Sequence, residues 1–307
     1  MAPRSWPAAS YDDWAPTCDT LHAHAQVLGK LAAELAPPEP QLLHAALRLT
    51  ARGWETAPLP APDGSGALVA ALDLHRHEAV VEHSDGRARR LPLTPHRAVG
   101  EVTRDVLAAV AELAGAVTID PTPQEVSWSA PLDADAEHAT YEPEQVAAYF
   151  AAASRAAQVL TAFRAPFRGR STQVNAWWGS FDLAVSLFSG LPAEPPANDF
   201  IMRNAGDAQQ IEVGWWPGDG RYGKAAFYAY AHPAPQGFGE GVLQPGAARW
   251  DQALGEYVLD WDDVRGAGDP HAYALEFARS AFRHACLVCG WDEELAASAE
   301  GSPPPVN

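Results

Sequence analysis

The run Asn175-Ala176-Trp177-Trp178-Gly179-Ser180-Phe181-Asp182 holds the side chains of this chain best suited to chemistry. A carboxylate in an otherwise apolar stretch is costly to bury, and burial raises its pKa toward the range of a general acid or base. Asp182 is therefore the first catalytic candidate, with pairing to an arginine or a backbone amide as the structural alternative. Read as one strand, residues 173–188 put Phe181, Leu183, Val185 and Leu187 on a core face. Trp178, Ser180, Asp182, Ala184 and Ser186 then fall on the opposite face, whose mix of small, polar and aromatic groups suits a pocket wall. The same alternation brings Tyr228, Tyr230 and His232 together. Trp215-Trp216 end a strand just before the turn signal Pro217-Gly218-Asp219-Gly220. Large rings with polar handles make this an aromatic cleft for an organic molecule, with Asn175, Trp177, Trp178 and Ser180 on one side. Gln209, Trp215, Trp216, Tyr228 and Tyr230 are the expected contacts on the other.

On the first helix, His22, Gln26 and Lys30 recur at i, i+4 and i+8 and form one polar stripe. A solvated face is the usual explanation for such a stripe. The catalytic one has His22 and Lys30 assisting Asp182, with Gln26 and Arg52 binding substrate. Metal spacings are poor. His75 and His77 sit where a turn is expected, His22 and His24 diverge by about 200° on a helix, and Cys286-x-x-Cys289 has no second pair. There is no Gly-x-Ser-x-Gly elbow or Walker loop, and no helix follows the alternating Gly237, Gly239 and Gly241. No metal and no redox cofactor is expected.

The elements that must position these groups read as α+β. A helix over 17–35 stops at Pro37-Pro38. Strands follow at 42–52, 66–74, 79–83 and 89–93, then a helix over 96–114 and a short strand at 117–119. The polar, proline-rich stretch 121–143 connects to a helix over 144–164. A second β-rich block (173–188, 211–216, 225–232, 256–261) and a helix over 270–287 complete the pattern. The domain division expected is thus an N-terminal half at 1–120, a connection at 121–143, a C-terminal half at 144–292 and a flexible tail at 293–307. Each half reads helix, β-meander, helix, packed into one globular unit, and the correspondence of 44–52 with 175–183 raises an internal duplication.

Of 307 residues, 47% are hydrophobic, enough for a sizeable core. The net charge of -18 disfavours nucleic acid and anionic membranes as partners. No stretch approaches the ~18 uninterrupted apolar residues of a spanning helix. With no apparent leader and three cysteines, a cytoplasmic location is expected, with the oligomeric state open.

Trp6-Pro7, Tyr11-Asp12-Asp13-Trp14, Thr20-Leu21-His22, Gln26 to Lys30, Thr50-Ala51-Arg52-Gly53, Glu137-His138-Ala139, Trp178 to Ala184 and Trp216-Pro217-Gly218-Asp219 resemble an uncharacterised bacterial family. It is catalogued as domain of unknown function 5996, and the resemblance covers nearly the whole chain. It implies a histidine where this chain has Asn175, and a His-Glu pair where it has Ala208-Gln209. His22, Gln26, Lys30, His44, Arg52, His77, His138, Ser180 and Asp182 match the pattern. Three functions follow as expectations. The first is a small-molecule enzyme, in the manner of specialised metabolism, using acid/base chemistry for isomerisation, cyclisation, hydration or hydrolysis. The others are a non-catalytic ligand- or partner-binding protein derived from an enzyme, and a histidine-dependent metalloenzyme.

Overall fold

The computed structural model describes residues 6–299. In chain order its elements are α1 (Ala15–Leu35), β1 (Leu47–Leu49), β2 (Gly53–Glu55), β3 (Leu59–Pro60), β4 (Ala67–Asp73), β5 (Glu78–His83), β6 (Ala88–Pro92), α2 (Val99–Ala114) and α3 (Pro143–Arg164). Then come β7 (Asn175–Trp177), β8 (Asp182–Pro192), α4 (Phe200–Ala205), β9 (Ala208–Trp216), β10 (Ala226–His232), β11 (Arg249–Asp251), β12 (Glu256–Asp260), α5 (Trp261–Gly266), α6 (Pro270–Cys289) and α7 (Glu293–Ser298). The α+β class is the one the sequence patterns predict.

Two compact units emerge, and their boundary falls inside α3 and between Asp182 and Leu183. The amino-terminal unit is Tyr11–Phe150 with Asn175–Asp182. Its antiparallel strands run in the order β7-β1-β2-β4-β5-β6, with β3 on β4. The connection expected at 121–143 belongs to this unit, as does the short β7 segment. The carboxy-terminal unit, described over 6–10, 151–174 and 183–299, orders its antiparallel strands β8-β9-β10-β12-β11. There α6 lies on β9, β10 and β12 over a core of Trp215, Phe227, Tyr257, Phe277 and Phe282.

Helix α1 starts on Pro16 in its first turn, where a missing N–H costs nothing, and ends at Ala36, extended ahead of Pro37. Its residues from Thr20 to Ala32 are buried on every side, as in a helix that runs through a core rather than along a surface. The solvated-face explanation of the His22, Gln26, Lys30 stripe therefore fails: their exposures are 8%, 0% and 6%.

Four local expectations change. Residues 40–45 form a 3-10 turn rather than a strand, with Gln41 and Leu42 at positive φ. Residues 117–119, expected as a short strand, have no regular secondary structure. Part of the expected tail is α7, whose amino end is capped by Asp292 accepting from Leu295 N; 300–307 lie outside the described residues. The fourth change matters most: the strand expected over 173–188 is broken by a turn at 178–181. Both faces of 182–188 are buried, so no single strand parity divides this segment into core and pocket.

Candidate functional site

The break at 178–181 has a visible cause. His22 Nε2 lies 2.9 Å from Trp178 O and 3.0 Å from Gly179 O, so the ring donates from this nitrogen and draws the turn onto α1. Phe181, held at φ 59, stacks on His22, Trp54 and Tyr149 at centroid distances of 4.9, 4.9 and 5.2 Å. Trp178 donates through Nε1 to Ala45 O at 3.1 Å and lies against Gly29, where a Cβ would stand 2.0 Å from the ring. Ser180 Oγ donates to Asp182 Oδ1 within the same turn. The segment richest in chemical side chains is thus bonded heavily to its own surroundings.

Burial of the His22 ring pulls its pKa down to about 4, so at neutral pH it is an uncharged imidazole. With Nε2–H given to the two carbonyls, Nδ1 carries the lone pair. Gln26 clasps the connection at two points: Nε2 donates to Gln124 O and Oε1 accepts from Gln124 N, each at 2.8 Å. Lys30 places its ammonium 5.4 Å from the centre of the Trp178 ring. Burial lowers its pKa, and nearby Asp120 opposes that shift. No acceptor lies within hydrogen-bonding reach of Lys30 Nζ among the described residues. Arg52 is taken up by Glu55 at 2.9 Å and Glu82 at 3.2 Å.

The connection clasped by Gln26 carries a group that residue spacing alone made only an alternative. Asp135 Oδ1 accepts from the backbone N–H of Glu137 and His138, and its Oδ2 lies 2.7 Å from His138 Nδ1. The carboxylate is fully buried while the imidazole is 14% exposed. An Nδ1–H held in this way leaves the lone pair of the neutral ring on Nε2, which meets no protein partner among the described residues. The loop is anchored on α2, whose amino end has no side-chain cap; Gly100 N donates to Asp135 O and Val99 N to His138 O. Gly100 is needed there, since a Cβ would stand 2.8 Å from Asp135 O. The Trp128 ring lies between two imidazoles, 4.7 Å from His138 and 5.9 Å from His22. His24, with its pKa pulled to about 3 mainly by burial, feels the charges of Arg97, Asp135 and His138, and its Nδ1 has no hydrogen-bond partner.

Asp182, His22, Lys30, Gln26, Arg52, Asn175, Trp177, Trp178 and Ser180 all belong to the amino-terminal unit, while Gln209, Trp215, Trp216, Tyr228 and Tyr230 belong to the other. There Trp215 is a core residue against Trp261. Gln209 accepts from Ser189 Oγ at 3.1 Å beside an open cleft lined by His232, Cys289 and Trp291. Trp216 packs on Tyr222 and Tyr228. Tyr228 and Tyr230 converge on Glu212, which the strand parity of 208–216 could have placed beside them. Asp135 could have been suspected from its place three residues before His138. Among the described residues no group of three or more His, Cys, Asp or Glu is arranged to hold a metal, and no helix is long and apolar enough to cross a membrane.

A two-unit α+β protein of antiparallel strands, with a histidine–carboxylate dyad on a long connection, is the class these features define. The chain belongs to the family described as Family of unknown function (DUF5996), whose family model matches residues 6–298. No curated protein and no solved structure matches it.

Proposed function

We propose that this protein is a small-molecule enzyme working by acid/base catalysis, with His138 as the proton-carrying group and Asp135 as the residue that orients it. The Asp135–His138 hydrogen bond, with Nε2 left without a partner among the described residues and the ring beside Trp128, carries this reading. Such a ring can take a proton from one substrate atom and return it to another, which serves an isomerisation, cyclisation, hydration or hydrolysis. A long connection without regular structure in a compact unit is commonly a functional one, and 115–142 fits that description. Trp128 offers an apolar face for an organic substrate, and neutral His22 offers an acceptor at Nδ1. Lys30 supplies a positive charge to stabilise a developing anion. In this reading Asp182, which accepts from Ser180 Oγ, is a positioning residue of the 178–182 turn and not the group that carries the proton.

The test is untargeted turnover. Purified protein is incubated with a bacterial small-molecule extract, and mass spectrometry follows which ions disappear and which appear. The expected result is a substrate–product pair formed by the wild type and absent with His138→Gln, while both proteins remain folded. Conversion that persists in His138→Gln would overturn the assignment of the group. Compounds retained by the wild type but never converted would replace it with a ligand-binding protein.

A further inference from the structure

The carboxy-terminal unit carries a second polar cluster with a different chemistry. Glu212 is 8% exposed on β9, between β8 and β10 in the sheet. Its Oε1 accepts from Tyr228 at 3.2 Å and from Tyr230 at 3.0 Å; its Oε2 accepts from Ser186 at 2.6 Å. The ladder explains the convergence: Ser186 and Tyr230 both pair in register with Glu212, from β8 on one side and β10 on the other. Tyr228 pairs with Gly214, where a Cβ would stand 2.3 Å from the phenol ring, so only glycine lets that ring lie down toward Glu212. The two phenols are parallel within 8° at 6.3 Å, and Trp216 meets Tyr228 edge-on at 5.7 Å.

This carboxylate is surrounded by hydroxyls and aromatic faces, with no lysine, arginine or histidine in ion-pairing distance among the described residues. Three hydroxyl donors satisfy three of about four lone-pair directions and leave one on Oε2. A buried carboxylate without a cation is costly, and hydroxyls compensate only in part. Burial accordingly raises the Glu212 pKa, against the three hydrogen bonds. Tyr230 and Trp216 are half-buried, so the cluster reaches the surface at those rings. Electron-rich ring faces, a carboxylate and one vacant acceptor direction form the set that recognises an alkylammonium. The chain's net charge of -18 favours the approach of such a cation.

We propose that the Glu212–Tyr228–Tyr230–Trp216 face binds a protonated primary amine, its ammonium donating to Glu212 Oε2 and its carbon chain lying against the aromatic rings. This site lies wholly within the carboxy-terminal unit and does not rest on the reading of the His138 dyad.

Binding of n-butylammonium to the full chain, followed by calorimetry and by the NMR shifts of the Trp216 indole, tests the proposal. Tetramethylammonium and n-butanol serve as comparison probes. The expected order is n-butylammonium tighter than tetramethylammonium, which cannot donate a hydrogen bond, with n-butanol giving no saturable binding. Glu212→Gln, which keeps the shape and removes the charge, should weaken n-butylammonium about tenfold or more while melting no lower than the wild type. Tyr230→Leu, at the half-buried edge, should weaken it about fivefold through loss of the ring face and keeps the test decisive if Glu212→Gln does not fold. His138→Gln should bind the amine as the wild type does. Equal affinity in wild type and Glu212→Gln, unchanged binding in Tyr230→Leu, saturable binding of n-butanol, tetramethylammonium binding as tightly as n-butylammonium, loss of binding in His138→Gln, or no binding of any ammonium probe would each overturn it.

Discussion

The Trp178–Asp182 turn and the Asp135–His138 loop, both in the amino-terminal unit, differ in what they leave over. In the turn, Trp178 Nε1, the carbonyls of Trp178 and Gly179, Ser180 Oγ and the Phe181 ring are all engaged by neighbouring protein groups. In the loop, the carboxylate is engaged and the imidazole keeps one nitrogen without a partner among the described residues. Catalytic capacity tracks such a leftover atom in a fixed place rather than the local density of chemical side chains. The polar atoms of the turn are spent on the unit's own packing, and the loop leaves one imidazole nitrogen unspent among the described residues.

Removing Phe181 tests the structural half of this contrast most severely. Phe181→Ala strips three stacked rings of their partner and should cost about 4 kcal/mol in chemical denaturation. A loss below about 1 kcal/mol would show that the turn is not a cornerstone. Next comes pH. The folded His22 has a pKa of about 4 against 6.5 for the free ring, so between these values the unfolded chain takes a proton that the folded one refuses. The stabilising contribution is whole above about pH 6.5 and falls as the pH drops toward 4, by on the order of 3 kcal/mol at the full shift. His24 adds a slope of the same sign, because its folded pKa is about 3. His22→Asn, which keeps an N–H donor, should flatten the urea-midpoint curve across this window, and an unchanged slope would refute the buried neutral ring.

Gly100→Ala falls between the two regions in expected size. Its Cβ would press on Asp135 O, and the cost should be about 2 kcal/mol, accompanied by displacement of the His138 ring that is visible in its NMR resonances. Stability lost with those resonances unmoved would separate α2 from the dyad. The smallest effect on folding is expected from His138→Gln, about 1 kcal/mol, since the glutamine amide can still donate to the buried Asp135 carboxylate. A large destabilisation there would erase the contrast by making the loop structural as well.

Much of the fold was legible in the chain. The boundaries of α1, β4, β5 and α6 follow from periodicity, prolines and turn residues, because those signals act between near neighbours. The turn at 178–181 was not legible, since a non-glycine residue at positive φ such as Phe181 leaves no mark in residue types. The stripe on α1 read as a surface because His, Gln and Lys are surface residues in most helices. Its burial follows from partners far along the chain. Glu212 leaves little mark in residue types, since one carboxylate between Ile211 and Val213 reads as an ordinary strand residue until Ser186, Tyr228 and Tyr230 converge on it.

The sequence by itself determined the elements, the α+β class, the family and the presence of aromatic and ionisable side chains in number. Only the tertiary structure decided which polar atoms are consumed and which are left. His22 finds its carbonyls 156 and 157 residues away, and Gln26 finds its peptide 98 residues away. A hydrogen bond depends on distance and direction in space. Whether an imidazole serves as a strut or as a base is therefore settled by where distant backbone comes to rest.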